Sequence, residues 1–133
     1  MTQPVNELET SPEQPELFYS NVYDWVEEYL VYFYKRPIVP SRMVWCPQWW
    51  KHIEAVVRLE ALWRAWEAMR KENSMTGLAK WTIELCDPTM DRLLDPDGTF
   101  KGCTDKQHKS RPADELHLPF DRAPDIARTD MVS

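Results

Sequence analysis

Glycine is nearly missing from this chain, with three residues in 133. So few positions able to take left-handed backbone exclude a turn-rich β architecture and any glycine loop that cradles phosphate. Cysteine is also scarce and odd in number: Cys46, Cys86 and Cys103. With no signal-peptide pattern, that set does not read as the disulfide framework of a secreted domain. The amino-terminal residues are acidic and lack an apolar targeting core, and no run approaches the ~20 apolar residues of a membrane-spanning helix. A cytoplasmic protein is therefore expected. Basic residues are outnumbered, 16 Lys and Arg against 22 Asp and Glu, for a net charge of −6. A protein that grips nucleic acid through its phosphates needs a basic surface, so this balance works against stand-alone DNA or RNA binding.

What the chain does have is tryptophan. Three of its seven Trp fall in Trp45-Cys46-Pro47-Gln48-Trp49-Trp50-Lys51-His52, directly ahead of a long amphipathic stretch. That stretch, from Ile53 to about Lys71, carries Val56, Leu59, Trp63 and Trp66 at helical spacing, flanked by Ile53, Leu62 and Met69. Glu54–Arg58, Glu60–Arg64 and Glu67–Lys71 stand four apart with the acid first, which marks a solvated face. An earlier helix is expected from Val22 to Lys35. Asn21 is its N-cap, Val22, Trp25, Val26, Tyr29, Leu30 and Phe33 form its buried face, and Arg36-Pro37 stops it. Tyr29 to Tyr34 also permits a strand reading. A third helix begins near Thr76 with Leu78, Trp81 and Leu85 inward. Asp87-Pro88 then reads as a break and a fresh N-cap for a short helix with Met90, Leu93 and Leu94. Asp95-Pro96-Asp97-Gly98 is a turn. The expected fold is all-α: a small Trp-rich bundle of three longer helices plus short ones over 21–103. A disordered acidic leader (1–20) and a mostly disordered tail (104–133) flank it, with Leu116 to Phe120 as a segment that docks back or meets a partner.

The chemistry-bearing residues are few. Cys46 and His52 are separated by five residues, Cys103 and His108 by four. Two thiolates and two imidazoles suit a closed tetrahedral zinc site, with Cys86 as a substitute ligand, although neither spacing is the tight C-x2-C knuckle. The competing reading makes Cys46 a small buried hydrophobe and His52 a cap or surface residue. A Cys46–Cys103 disulfide is a third reading, opposed by a reducing compartment. Asp95 and Asp97 fail as a calcium loop because Leu93 and Thr104 occupy the positions of the first and last acids. Asp87, Asp95 and Asp97 are explained by caps and turns, and no nucleophile motif is present, so no enzymatic activity is expected. Trp45, Trp49 and Trp50 cannot all turn inward from one short segment. With Lys51 they form the expected interaction surface for a protein partner, and a base-stacking platform for nucleic acid is the alternative.

Four segments together carry a resemblance: Val-Tyr-Asp-Trp-Val at 22–26, Trp-Cys-Pro-Gln-Trp-Trp-Lys-His at 45–52, Leu-Glu-Ala-Leu-Trp-Arg-Ala-Trp-Glu at 59–67, and Leu-Asp-Pro-Asp-Gly-Thr-Phe-Lys-Gly-Cys at 94–103. The chain resembles domain-of-unknown-function family 4913 over roughly Asn21 to Cys103. The resemblance implies a small protein of high-GC Gram-positive bacteria and their plasmids, phages and conjugative elements, with no known reaction. It also implies His in the segment matching Leu85 to Thr89, where this chain has Leu85, Cys86 and Thr89. The residues lead to the expectation of a non-catalytic accessory or protein-interaction module with zinc as its candidate metal, and the resemblance implies that it belongs to a mobile genetic element. The alternative is a nucleic-acid-associated protein of plasmid or phage maintenance.

Overall fold

The computed structural model describes residues 16–112 and 115–130. Three helices make the body, and no strand joins them among the described residues. The first, α1, covers 22–33 as a helical turn (Val22–Trp25), a wide π turn (Val26–Leu30) and a final helical turn (Val31–Phe33). Asn21 caps it as expected: its backbone is extended and its Oδ1 accepts the Asp24 N–H at 2.9 Å. The strand alternative for Tyr29 to Tyr34 is thereby overturned. The helix also ends earlier than Lys35, because Tyr34 leaves helical geometry (φ −104°, ψ 37°). Val22, Trp25, Val26 and Leu30 are buried. Phe33 is not; it is 42 % exposed. The extra residue of the π turn rotates everything after it around the axis, so spacing counted at 3.6 per turn misplaces that side chain.

The long helix, α2, spans Ile53–Glu72 and buries Ala55, Leu59, Leu62, Trp63, Trp66 and Glu67. Ile53, expected at the edge of the stripe, is 82 % exposed. It stands nine residues before Leu62, which is two and a half turns and therefore the opposite face. Two of the three expected ion pairs form, Glu54–Arg58 at 2.8 Å and Glu60–Arg64 at 2.9 Å. The third does not. Glu67 turns inward and pairs with Arg70 at 3.1 Å instead of Lys71.

Gly77 opens α3 where the chain doubles back on α2. A Cβ there would lie 2.0 Å from the Met69 carbonyl oxygen, so only glycine permits this approach. Helix α3 runs over 77–93 as Gly77–Trp81, a second π turn Thr82–Cys86, and Asp87–Leu93. The expected break at Asp87-Pro88 is absent, since Cys86 and Asp87 both keep right-handed helical angles. A proline ring pushes against the carbonyl one turn earlier and has no N–H to give, and the wider turn just ahead of Pro88 accommodates both. Trp81, Cys86, Met90 and Leu93 face inward, whereas Leu78 and Leu85, expected there, are partly exposed. The Asp95–Gly98 turn forms as read, with Gly98 N–H on Asp95 O at 2.9 Å and Asp97 N–H on Asp95 Oδ1 at 2.8 Å.

Indoles from all three helices meet at the centre. The ring of Trp25 lies 6.2 Å from that of Trp66 and 6.1 Å from that of Trp81, edge-on to the latter. The Trp81 N–H donates to Leu62 O at 3.0 Å, closing α3 onto α2.

The packed unit is larger at both ends than 21–103. Phe18 and Tyr19, assigned to the leader, donate their backbone N–H groups to the two oxygens of Glu67 at 2.8 and 2.9 Å. Residues 1–15 of the expected leader lie outside the described residues. Beyond Cys103 the chain turns at Thr104–Gln107, returns His108 to the body, and ties Arg111 to Gly98 O at 2.9 Å and Thr99 O at 3.2 Å. Leu116, Leu118 and Phe120 are exposed and do not dock back. A short helix not read from the sequence, α4, follows at Asp125–Asp130. No helix among the described residues is long and apolar enough to cross a membrane.

Candidate metal centre

Four side chains converge where the connector from α1, the start of α2 and the segment after α3 meet. Cys46 lies on the connector. A 3-10 turn, Trp49–Lys51, then delivers His52 as the residue capping α2. Gly102, with φ +88°, turns the chain so that Cys103 faces inward; a Cβ there would also press on the Lys109 side chain. The Thr104–Gln107 turn then folds His108 back. One donor atom from each of Cys46, His52, Cys103 and His108 lies within 4.8 Å of all the others.

Three sulfur–nitrogen separations are Cys46 Sγ to His108 Nδ1 at 3.2 Å, Cys103 Sγ to His52 Nε2 at 3.6 Å, and Cys103 Sγ to His108 Nδ1 at 3.9 Å. Zinc bonds of about 2.3 Å to sulfur and 2.0 Å to nitrogen put S and N at tetrahedral corners about 3.5 Å apart. The observed edges bracket that value. All three cysteines are free thiols, so the disulfide reading is set aside. Cys86, the substitute ligand, is buried on α3 outside the cluster.

The surroundings act in opposite directions on the two kinds of ligand, holding the Cys46 thiol protonated in the absence of a metal and the His52 imidazole neutral. Both sulfurs are buried and both imidazoles half-buried. Burial pushes the Cys46 thiol up to about 11; a backbone N–H at Gln48 pulls the other way, and Cys103 adds to the rise. A divalent ion at the cluster would displace that proton. Burial first, then the nearby His108 and Arg111, lower the pKa of His52, which favours the neutral imidazole that ligates. The Lys109 backbone N–H points at Cys103 Sγ at 3.4 Å, and with Gln48 it supplies the second layer of donors that steadies sulfur ligands. Phe100 packs edge-on against His52 at 5.0 Å and fixes its ring. Spacing could not reveal Lys109 or Gln48, because they act through the backbone; Phe100 was legible only as an apolar residue.

Of the expected interaction surface, Trp49 is corrected: it is 3 % exposed and stacks on Tyr23 at 5.4 Å as part of the core. Trp45 is half-buried, edge-on to Phe100 at 5.2 Å. Trp50, 47 % exposed, and Lys51 remain at the surface. The acids Asp87 and Asp95 are engaged structurally, Asp87 by the Tyr34 hydroxyl at 2.8 Å and Asp95 by its own turn. No other cluster of potential metal ligands occurs among the described residues.

These features define a small all-helical, Trp-rich domain with a Cys2His2 cluster that could bind a metal ion. The chain belongs to the family described as Domain of unknown function (DUF4913), whose model matches residues 19–124. That span takes in Tyr19 and the segment carrying His108 and Arg111, in line with the enlarged packed unit. No curated protein and no solved structure matches the chain.

Proposed function

We propose that this domain is a non-catalytic protein-interaction module stapled by a structural zinc ion. One observation carries the reading: two sulfurs and two imidazole nitrogens from distant parts of the chain lie within 4.8 Å of one another, and three of their sulfur–nitrogen separations bracket a tetrahedral zinc edge. Thiolate plus imidazole selects zinc over calcium or magnesium, which take oxygen. Four protein ligands leave no coordination position for substrate, so the ion holds the fold together and performs no reaction. The staple fixes the corner ahead of α2, and beside it stand Trp50, Ile53 and Val57, exposed on consecutive turns with Lys51. Exposed aromatic and branched side chains of this kind act as contact anchors for a protein partner. The family resemblance supplies the setting, an accessory protein of a plasmid, phage or conjugative element, and the acidic amino-terminal residues without an apolar targeting core support a cytoplasmic location.

Elemental analysis of protein purified without chelators tests the zinc. One zinc per chain is expected, as is the visible absorption of tetrahedral cobalt–thiolate after exchange, and neither survives Cys46→Ala with Cys103→Ala. Absence of stoichiometric metal sinks the staple. Trp50→Ala with Ile53→Ser tests the surface in pull-downs from the native host. Partners retained equally by both baits refute it, and salt-sensitive binding to DNA or RNA in place of a protein favours the nucleic-acid reading.

A further inference from the structure

We propose that a second site, between the end of α1 and the end of α3, binds a small hydrophobic carboxylate: an aryl or alkyl acid. It is a different site from the metal cluster, although one wall residue, Trp45, precedes Cys46 and packs on Phe100, which also touches His52. A cavity of about 140 Å³ opens there, walled by Leu30, Ile38, Trp45, Met90 and Leu94. The space is half open to solvent; an enclosed apolar cavity of similar volume takes up benzene, so this one has room for the body of a small aryl group.

The polar groups around the cavity are arranged unequally. The Tyr34 hydroxyl is already committed, donating to Asp87 at 2.8 Å, so it gives an entering group no spare proton. Burial, then that bond to Asp87, push the phenol up to about 12 and keep it a neutral donor. The interior therefore suits only an apolar tail. At the lip stand Lys35 and Arg36. Neither is in an ion pair among the described residues. The Arg36 guanidinium lies over the Tyr34 ring at 4.1 Å and donates once to Lys35 O at 3.0 Å, which sets its plane and leaves its remaining N–H groups to meet an anion. An apolar hole beside two cations that have no ion-pair partner among the described residues is complementary to a ligand with an apolar body and a carboxylate head, the smallest anion that matches the guanidinium fork. The site also sits between the two π turns: Leu30 ends the first, and Asp87, which holds Tyr34, follows the second. Such turns recur at functional sites.

Cations at the end of α1 would also complement its helix dipole. That role alone gives stability but no ligand dependence, and the experiment separates the two. The full chain is titrated with phenylacetate and, separately, with its neutral isostere phenylacetamide, following the Trp45 indole and the Leu30 and Met90 methyl signals by NMR. Saturable shifts with a Kd of roughly 0.1–1 mM are expected for phenylacetate, a realistic range for about ten heavy atoms. The amide should bind about tenfold more weakly, one charge-assisted contact being lost. Lys35→Gln with Arg36→Gln should make the two ligands equivalent, and Lys35→Gln alone should narrow the gap if the double variant does not fold. No saturable shift at these signals, or equal binding of acid and amide by the unaltered chain, overturns the proposal.

Discussion

Removing metal from the Cys2His2 cluster should weaken the fold by an amount set by the loop that the cluster closes. Cys46 and His108 stand 62 residues apart in sequence and 3.2 Å apart in space. Cross-linking a loop of that length removes about 14 cal/mol/K of entropy from the unfolded chain, or about 4 kcal/mol at room temperature. For a domain of about one hundred ordered residues, each kcal/mol corresponds to ~4–8 °C in Tm, so chelation should lower Tm by roughly 20 °C. The assay is thermal unfolding followed by circular dichroism, with and without a strong chelator, then with one equivalent of zinc restored. Cys86→Ala is the control, because it changes a buried thiol outside the cluster and should retain the chelation response. Cys103→Ala should behave as the chelated protein does and gain nothing from added zinc. If metal-free and zinc-restored samples melt within a few degrees of each other, the four side chains are a hydrogen-bonded cluster and the entropy argument fails.

Glu67→Ala should cost about 3–5 kcal/mol in urea unfolding, because the carboxylate is 4 % exposed and its loss orphans the Trp63 indole N–H, Arg70 and two backbone N–H groups. Burial alone would raise the Glu67 pKa, but the donors at Phe18, Tyr19, Trp63 and Arg70 outweigh it and hold it low. Its contribution is therefore present above the unfolded carboxyl range of about 4.3 and lost as pH falls through the folded value, so the advantage over Glu67→Gln should shrink in acid; an unchanged gap refutes this. Gly77→Ala should destabilise by about 1–3 kcal/mol despite alanine's better helix propensity, since its Cβ would meet Met69 O; a stabilised variant would show that the α2–α3 approach is looser. Trp81→Phe should cost about 1–3 kcal/mol through the lost bond to Leu62 O, measured by the same unfolding titration.

Glu67 shows where pattern reading stops. Its position four residues before Lys71 gave it the same signature as Glu54 and Glu60, yet it is buried and holds the segment before α1 onto α2. Helical spacing reports which positions are neighbours along one helix, not which face another part of the chain will cover. The same limit misplaced Phe33 and Leu85, which lie beyond or within π turns that no local signal announces.

Local chemistry determined the Asn21 cap, the near-complete extent of α2, the Asp95–Gly98 turn, the all-α class and the identity of the four metal-ligand candidates, because each depends on residues within a few turns of one another. Tertiary structure alone decided that Cys46 and His52 meet Cys103 and His108, that Glu67 is buried, and that Pro88 lies inside a helix. Those outcomes depend on how α1, α2 and α3 pack around Trp25, and packing brings together atoms whose separation along the chain carries no record of their distance in space.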